Sequence, residues 1–290
     1  MSASRIMKFA LLLLLAVPLV GCAPEEAKHK AAGNVLFKRK DFVGAEREYR
    51  KAVASRPRDA GAHVLLAEAL FNQQRLGDAR AEFEQALALK PKSPDAHKGL
   101  AEVLLGQAPV GDAAAVDAAL PHLDAVLAER PGDLVTLVYS AKLVAMKAAR
   151  LPDAAAKLAA FDDAVARLER ARRVRAAELA VHYELAVILA KRAAALRAAQ
   201  APADWQARAT ADDGAANAAL AELERRAPGS YVVPYGRAVT AMVAGKSDEA
   251  LAALGEALAR PDAQAEVALT DSHFEGLRGD PRFQALVKKP

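Results

Sequence analysis

Two stretches decide the fold: residues 45–57, AEREYRKAVASRP, and residues 79–91, ARAEFEQALALKP. They lie 34 residues apart, and Ala45, Tyr49, Ala52 and Pro57 fall on Ala79, Phe83, Ala86 and Pro91. The small residues let two helices approach closely. The ring fills the space beside them, and the proline stops the helix because it cannot continue the hydrogen-bond ladder. Upstream, Gly33 pairs with Ala67, Leu36 with Leu70 and Ala32 with Leu66 in the same register. Each unit therefore reads as two antiparallel helices. One such pair cannot bury its apolar faces alone, so neighbours must stack.

Spacing, residue size and order together resemble the tetratricopeptide repeat (TPR). The resemblance implies an all-α fold, an α-solenoid of TPR-type hairpins closed by a C-terminal capping helix. The regular repeats are expected at about 26–59, 60–93, 94–133 and 231–264, with a degenerate stretch over 134–230. The third repeat is lengthened in its turn, within Gly106 to Ala115, and the fifth carries an insertion around Ala198 to Gly214. Residues 265–290 read as the cap: Asp280-Pro281 offers an N-cap followed by proline, and Phe283, Leu286 and Val287 share a helical face.

Composition agrees with helices. Alanine makes up about a quarter of the chain, aromatic residues only 5%, and hydrophobic residues 53%. That excludes a disordered chain and argues against a β-sandwich or barrel.

The first 21 residues read as a signal peptide. Arg5 and Lys8 precede an uncharged run from Phe9 to Val20, too short to anchor a helix across a bilayer. Leu19-Val20-Gly21-Cys22 then resembles the lipobox of bacterial lipoproteins. This implies cleavage before Cys22, the chain's single cysteine, and acylation of that residue, with residues 22–30 as a lipidated tether and residues 31–264 as the helical array. Two acyl chains suffice for stable membrane attachment. Ala23 rather than Asp follows the cysteine, which by the same resemblance points to the outer membrane, facing the periplasm. Without Arg5 and Lys8 the net charge falls from +4 to +2, so no strong attraction to nucleic acid is expected.

No set of residues suited to catalysis, metal ligation or cofactor binding stands out. His63 and His97 occupy one repeat position and read as packing residues. The acidic pairs Asp162-Asp163 and Asp212-Asp213 read as solvated. The run Arg167, Arg170, Arg172, Arg173, Arg175 reads as a solvated helix face near Glu169 and Glu178.

In this family the concave groove lined by first helices usually binds extended segments. The register puts Lys30, Asn34, Phe37 and Lys38 there from repeat one. Val64, Glu68, Phe71 and Asn72 follow from repeat two, and Lys98 and Glu102 from repeat three. Phe37 and Phe71 among charges of both signs suit a mixed apolar and polar partner. The outer face and the insertions are the competing surfaces. Lys30-x-x-Gly33-Asn34 resembles half of a carboxylate clamp, but Leu65, Asp95 and Gly99 stand where the clamp needs other residues. The expected function is a non-catalytic, lipid-anchored scaffold that binds envelope proteins, as pilotin-like or assembly-factor lipoproteins do. The alternative is a solenoid that carries polysaccharide or lipid.

Overall fold

A computed structural model describes residues 24–288. Every regular element among them is helical: α1 (Glu25–Lys38), α2 (Phe42–Ser55), α3 (Ala60–Asn72), α4 (Leu76–Leu89), α5 (Pro94–Gly106), α6 (Ala113–Glu129), α7 (Leu134–Arg150), α8 (Ala154–Val174), α9 (Leu179–Ala199), α10 (Trp205–Arg226), α11 (Val232–Val243), α12 (Ser247–Leu258), α13 (Ala265–Thr270), a 3-10 turn (Ser272–Leu277) and α14 (Pro281–Val287). The chain divides into two units, one ending at Pro91 and one beginning at Lys92.

In the first unit α1 pairs with α2, α3 with α4, and α2 packs on α3. Ala45, Ala52, Ala79 and Ala86 are fully buried, and Tyr49 and Phe83 fill the space beside them. Gly33 sits against the Tyr49 ring, where an added Cβ would lie 2.6 Å from Cδ1, so only glycine fits. Both hairpin turns place a non-glycine residue in the left-handed region, Lys40 and Gln74, each with φ of 62°. The next amide bonds back across the helix end, Asp41 to Leu36 and Arg75 to Leu70, both at 3.0 Å. Glu46, nearly buried, accepts from Arg75 Nη1 at 2.8 Å, Gln73 Nε2 at 2.9 Å and Arg50 Nε at 2.9 Å. Burial alone would raise its carboxyl, but these donors hold it below the usual carboxylate range.

The second unit continues the pattern through α5–α6, α7–α8, α9–α10 and α11–α12. A repeated turn sets its rhythm. Just past the ends of the second helices stand Arg130, Arg175, Ala227 and Arg260. Three residues later the amides of Asp133, Glu178, Ser230 and Ala263 bond back to those carbonyls at 3.0–3.2 Å. The basic residues complement the helix C-termini, and Asp133 then caps α7 by accepting from Thr136 N at 2.8 Å. The stretch 134–230 thus forms two ordinary hairpins whose helices have grown to 17, 21, 21 and 22 residues. The added turns bury Leu158, Ala193, Leu196 and Ala209 against Trp205.

Several expectations need correction. Residues 25–30 are not a tether: α1 starts at Glu25, where Glu25 and Glu26 complement the positive end of the helix and Glu25 pairs with Lys28 at 2.8 Å. The insertion expected over 198–214 is mostly helix, because α10 begins at Trp205. Asp212 is not solvated; it is 4% exposed and takes two hydrogen bonds from Arg192, 2.9 Å from Nε and 2.6 Å from Nη2. Cys22 and the proposed signal segment lie outside the described residues.

The cap is three short elements rather than one helix. Phe274, Leu277, Phe283 and Val287 join Tyr235, Val239, Leu251 and Leu254 in one core. Asp280 caps α14 by accepting from Arg282 N at 2.8 Å.

Candidate functional site

The candidate residues sit on the first helices of their hairpins, and each unit presents its own face. In the first unit Lys30 reaches Asp59 at 2.7 Å, and Asp59 also caps α3 through Gly61 N at 2.9 Å. Burial would raise the Asp59 carboxyl, but Lys30 and the helix amides hold it below its ordinary value. Asn34 accepts the Tyr49 hydroxyl at 2.8 Å. Burial, reinforced by Glu68, pushes that phenol up to about 12. Phe37 is half-buried, edge-on to Phe42 at 5.2 Å. Asn72 donates to Glu68 O on its own helix at 2.8 Å.

Lys38 and Asn72 are exposed, and Glu68 and Phe71 half-buried. Val64 is a correction: at 7% exposed it packs inward and offers a partner almost nothing. This face is therefore pre-organised. Lys30 ties α1 to the start of α3 through Asp59, and Asn34 ties α1 to α2 through Tyr49, while Lys38 stays exposed and Phe71 half-buried.

In the second unit Lys98 and Glu102 lie half-buried on α5. Burial pushes the Glu102 carboxyl up against the opposing pull of Lys98. Tyr139 of α7 is 37% exposed; burial raises its phenol first, and the charge of Glu102 adds to it. Lys142 bridges α7 to α9 through Glu184 at 2.7 Å. Further along, Tyr235 donates to Asp271 at 2.7 Å, and His273 Nδ1 lies 2.7 Å from the same carboxylate. Burial would raise the Asp271 carboxyl, but His273 and Tyr235 bring it down to about 2.

Tyr139, Lys142, Tyr183 and Glu184 were missed because groove positions were counted only through the third repeat, although the later first helices start at Leu134 and Leu179. The signal was present: Val138 and Tyr183 stand four residues past the starts of α7 and α9, as Lys98 does in α5. Asp133 and Glu178, read as the residues preceding those helices, would have set the count.

The histidines of α1, α3 and α5 form structural rungs to the paired second helices. His29 meets Glu48 at 2.7 Å, His63 meets Glu82 at 2.6 Å, and His97 meets His122 at 2.9 Å. One ring of the last pair must be neutral to accept the bond. Among the described residues no three metal-ligating side chains gather, and no helix is long and apolar enough to cross a membrane. In the basic run, Arg167 pairs with Asp124 at 2.7 Å and Arg172 with Glu169 at 2.7 Å. What each face can offer chemically is hydrogen bonds, paired charges and a few rings.

Tetratricopeptide-repeat family models match residues 36–103 and 73–134, so the chain carries these repeats over residues 36–134. No curated protein sequence matches the chain. Among solved structures it is similar to PilW, described as a widely conserved type IV pilus biogenesis factor. The identity is 15% over 90% of this chain and 98% of that one, with a TM-score of 0.54. It is also similar to MamA from Desulfovibrio magneticus RS-1, at 16% identity over 71% of this chain and 97% of that one, TM-score 0.50. A further MamA structure matches at 12% identity over 70% and 91%, TM-score 0.50. At such identities the likeness concerns the fold: consecutive helical hairpins of tetratricopeptide-repeat type.

Proposed function

We propose that this protein is a non-catalytic, lipid-anchored scaffold of the bacterial envelope. It holds another protein against the first-helix faces of its hairpins, while acylated Cys22 keeps it at the outer membrane on the periplasmic side. The observation that carries the binding role is the composition of those faces. Lys98, Glu102, Tyr139, Lys142 and Glu184 succeed one another along three first helices of the second unit, partly exposed, with charges of alternating sign. Such a surface gives a protein segment hydrogen bonds and ion pairs and a ring to cover, and specificity comes from their order.

The anchoring role is supported by the sequence Leu19-Val20-Gly21-Cys22. Service to an outer-membrane, secretion or pilus assembly is supported by the likeness to PilW, a pilus biogenesis factor. The test is labelling of cells with a radioactive or clickable palmitate analogue, followed by membrane fractionation. The wild type is expected to carry the label and to require detergent for extraction. Cys22→Ser is expected to lose both the label and the membrane retention, and to recover less of the partner from membranes. Retention of unlabelled Cys22→Ser in the membrane would refute the anchor. Absence of any co-purifying envelope protein from the wild type would refute the scaffold.

A further inference from the structure

The second unit holds a cavity that the binding face does not use. It has a volume of about 490 Å³ and lies between the end of α7, the first half of α8 and the second half of α9, with Val243 of α11 at one side. It lies where α9, 21 residues long, runs on past α11, which packs on it and ends after 12. Nine of its eleven lining residues are apolar, namely six alanines, Pro152, Phe161 and Val243. The other two are Lys157 and Lys191.

No carboxylate lines the cavity. The acids around it are committed elsewhere. Glu184 on α9 is taken by Lys142 at 2.7 Å. Asp153 caps α8 by accepting from Ala156 N at 2.8 Å. Asp271 is held by Tyr235 and His273. Neither lysine forms an ion pair among the described residues. An apolar cavity lined by two cations and no carboxylate, with Glu184 and Asp271 acting on Lys191 only from outside the lining, is complementary to one class of ligand, an apolar chain that ends in an anion.

We infer that this cavity binds an aliphatic carboxylate, its alkyl chain against the alanines, Phe161 and Val243 and its carboxylate on the ammonium groups of Lys157 and Lys191. The half-buried position of Lys191, where burial lowers its affinity for a proton, makes an arriving carboxylate the natural compensation. A peptide C-terminus carries the same charge but fits less well. The lining side chains offer no hydrogen-bonding group besides the two ammonium groups, so the amides of a peptide would find few side-chain partners there. An alkyl chain has no such groups to satisfy. This inference stands apart from the protein-binding role.

The test is calorimetric titration of the full chain with dodecanoate, with dodecanol, and with the acid-terminated peptide Ala-Leu-Leu. Carboxyl-¹³C dodecanoate reports the carboxylate environment. Dodecanoate is expected to bind, dodecanol about tenfold more weakly, and the peptide more weakly than dodecanoate. Lys191→Gln and Lys157→Gln are each expected to weaken dodecanoate about tenfold, the scale of one charge-assisted hydrogen bond. Ala198→Leu, at an exposed lining position, is expected to fill the cavity and remove binding while circular dichroism stays unchanged. Equal binding of dodecanol and dodecanoate would overturn the inference, as would tighter binding of the peptide. So would wild-type affinity in folded Lys191→Gln or Ala198→Leu protein.

Discussion

Replacing Arg192 by methionine would leave the Asp212 carboxylate buried without a partner. The Asp212 side chain is 6% exposed and receives both hydrogen bonds of a bidentate pair, and Arg192 itself is 17% exposed. Breaking such a pair from one side costs about 3–5 kcal/mol, because the remaining charge cannot recover its water. Arg192 also bonds Asp162 at 2.7 Å, but that carboxylate is 48% exposed and adds less than about 1 kcal/mol. For a unit of this size each kcal/mol moves the melting temperature by about 2–4 °C. Arg192→Met should therefore lower it by on the order of 10 °C in a circular-dichroism melt, and shift the urea midpoint in step. Asp162→Ala should barely move either. The double variant Arg192→Met, Asp212→Leu should regain most of the loss, since a matched apolar pair replaces a buried ion pair at little cost. A loss under about 1 kcal/mol in Arg192→Met would refute the burial argument, and so would a double variant no more stable than the single.

Gly33→Ala should destabilise the first unit by about 1–3 kcal/mol through overpacking against Tyr49, read by chemical denaturation. Gln74→Gly should stabilise by about 0.5–1 kcal/mol, because it relieves a left-handed conformation that glycine adopts freely; an unchanged urea midpoint would contradict the turn geometry. The Asp271 carboxyl titrates near 2 when folded against 3.8 ordinarily, so its contribution is present above pH 4 and lost as pH falls toward 2. Asp271→Asn should therefore cost about 2 kcal/mol at pH 7 and flatten the acid limb of the stability profile over that window. Phe71→Ala with Tyr139→Ala should weaken capture of the envelope partner while the melting curve holds within about 1 kcal/mol, since both rings stand partly in solvent.

The hairpins of the first ninety residues were legible because size, not chemistry, sets their pattern. Ala45, Ala52, Ala79 and Ala86 must be small and Tyr49 and Phe83 large, and a 34-residue period repeats that choice. The middle of the chain hid its register for a physical reason. Its helices gained turns at the ends opposite the Arg130 and Arg175 turns, which shifted every downstream position while leaving those turns intact. The first helices still start at Leu134 and Leu179, but the groove count was not carried into them, so Tyr139, Lys142 and Glu184 went unnamed. Val64 was misplaced because helical register cannot tell a half-turned residue from one facing the groove. Asp212 looked solvated because an acidic pair usually is; nothing local announces that Arg192, 20 residues earlier, meets it in the hairpin interior. The aliphatic cavity was invisible for the same reason, as it lies where α9 runs on past α11 rather than at any motif.

Site-specific photo-crosslinking in living cells reads which face of the hairpins a partner occupies. A photoreactive phenylalanine analogue would be placed at Phe71, Tyr139 or Lys142 on the first helices, and at Ala118 or Ala166 on exposed second-helix faces. Adducts to the same envelope protein are expected from all three first-helix positions, dependent on Cys22, and none from Ala118 or Ala166. Adducts confined to the second-helix positions would contradict that expectation.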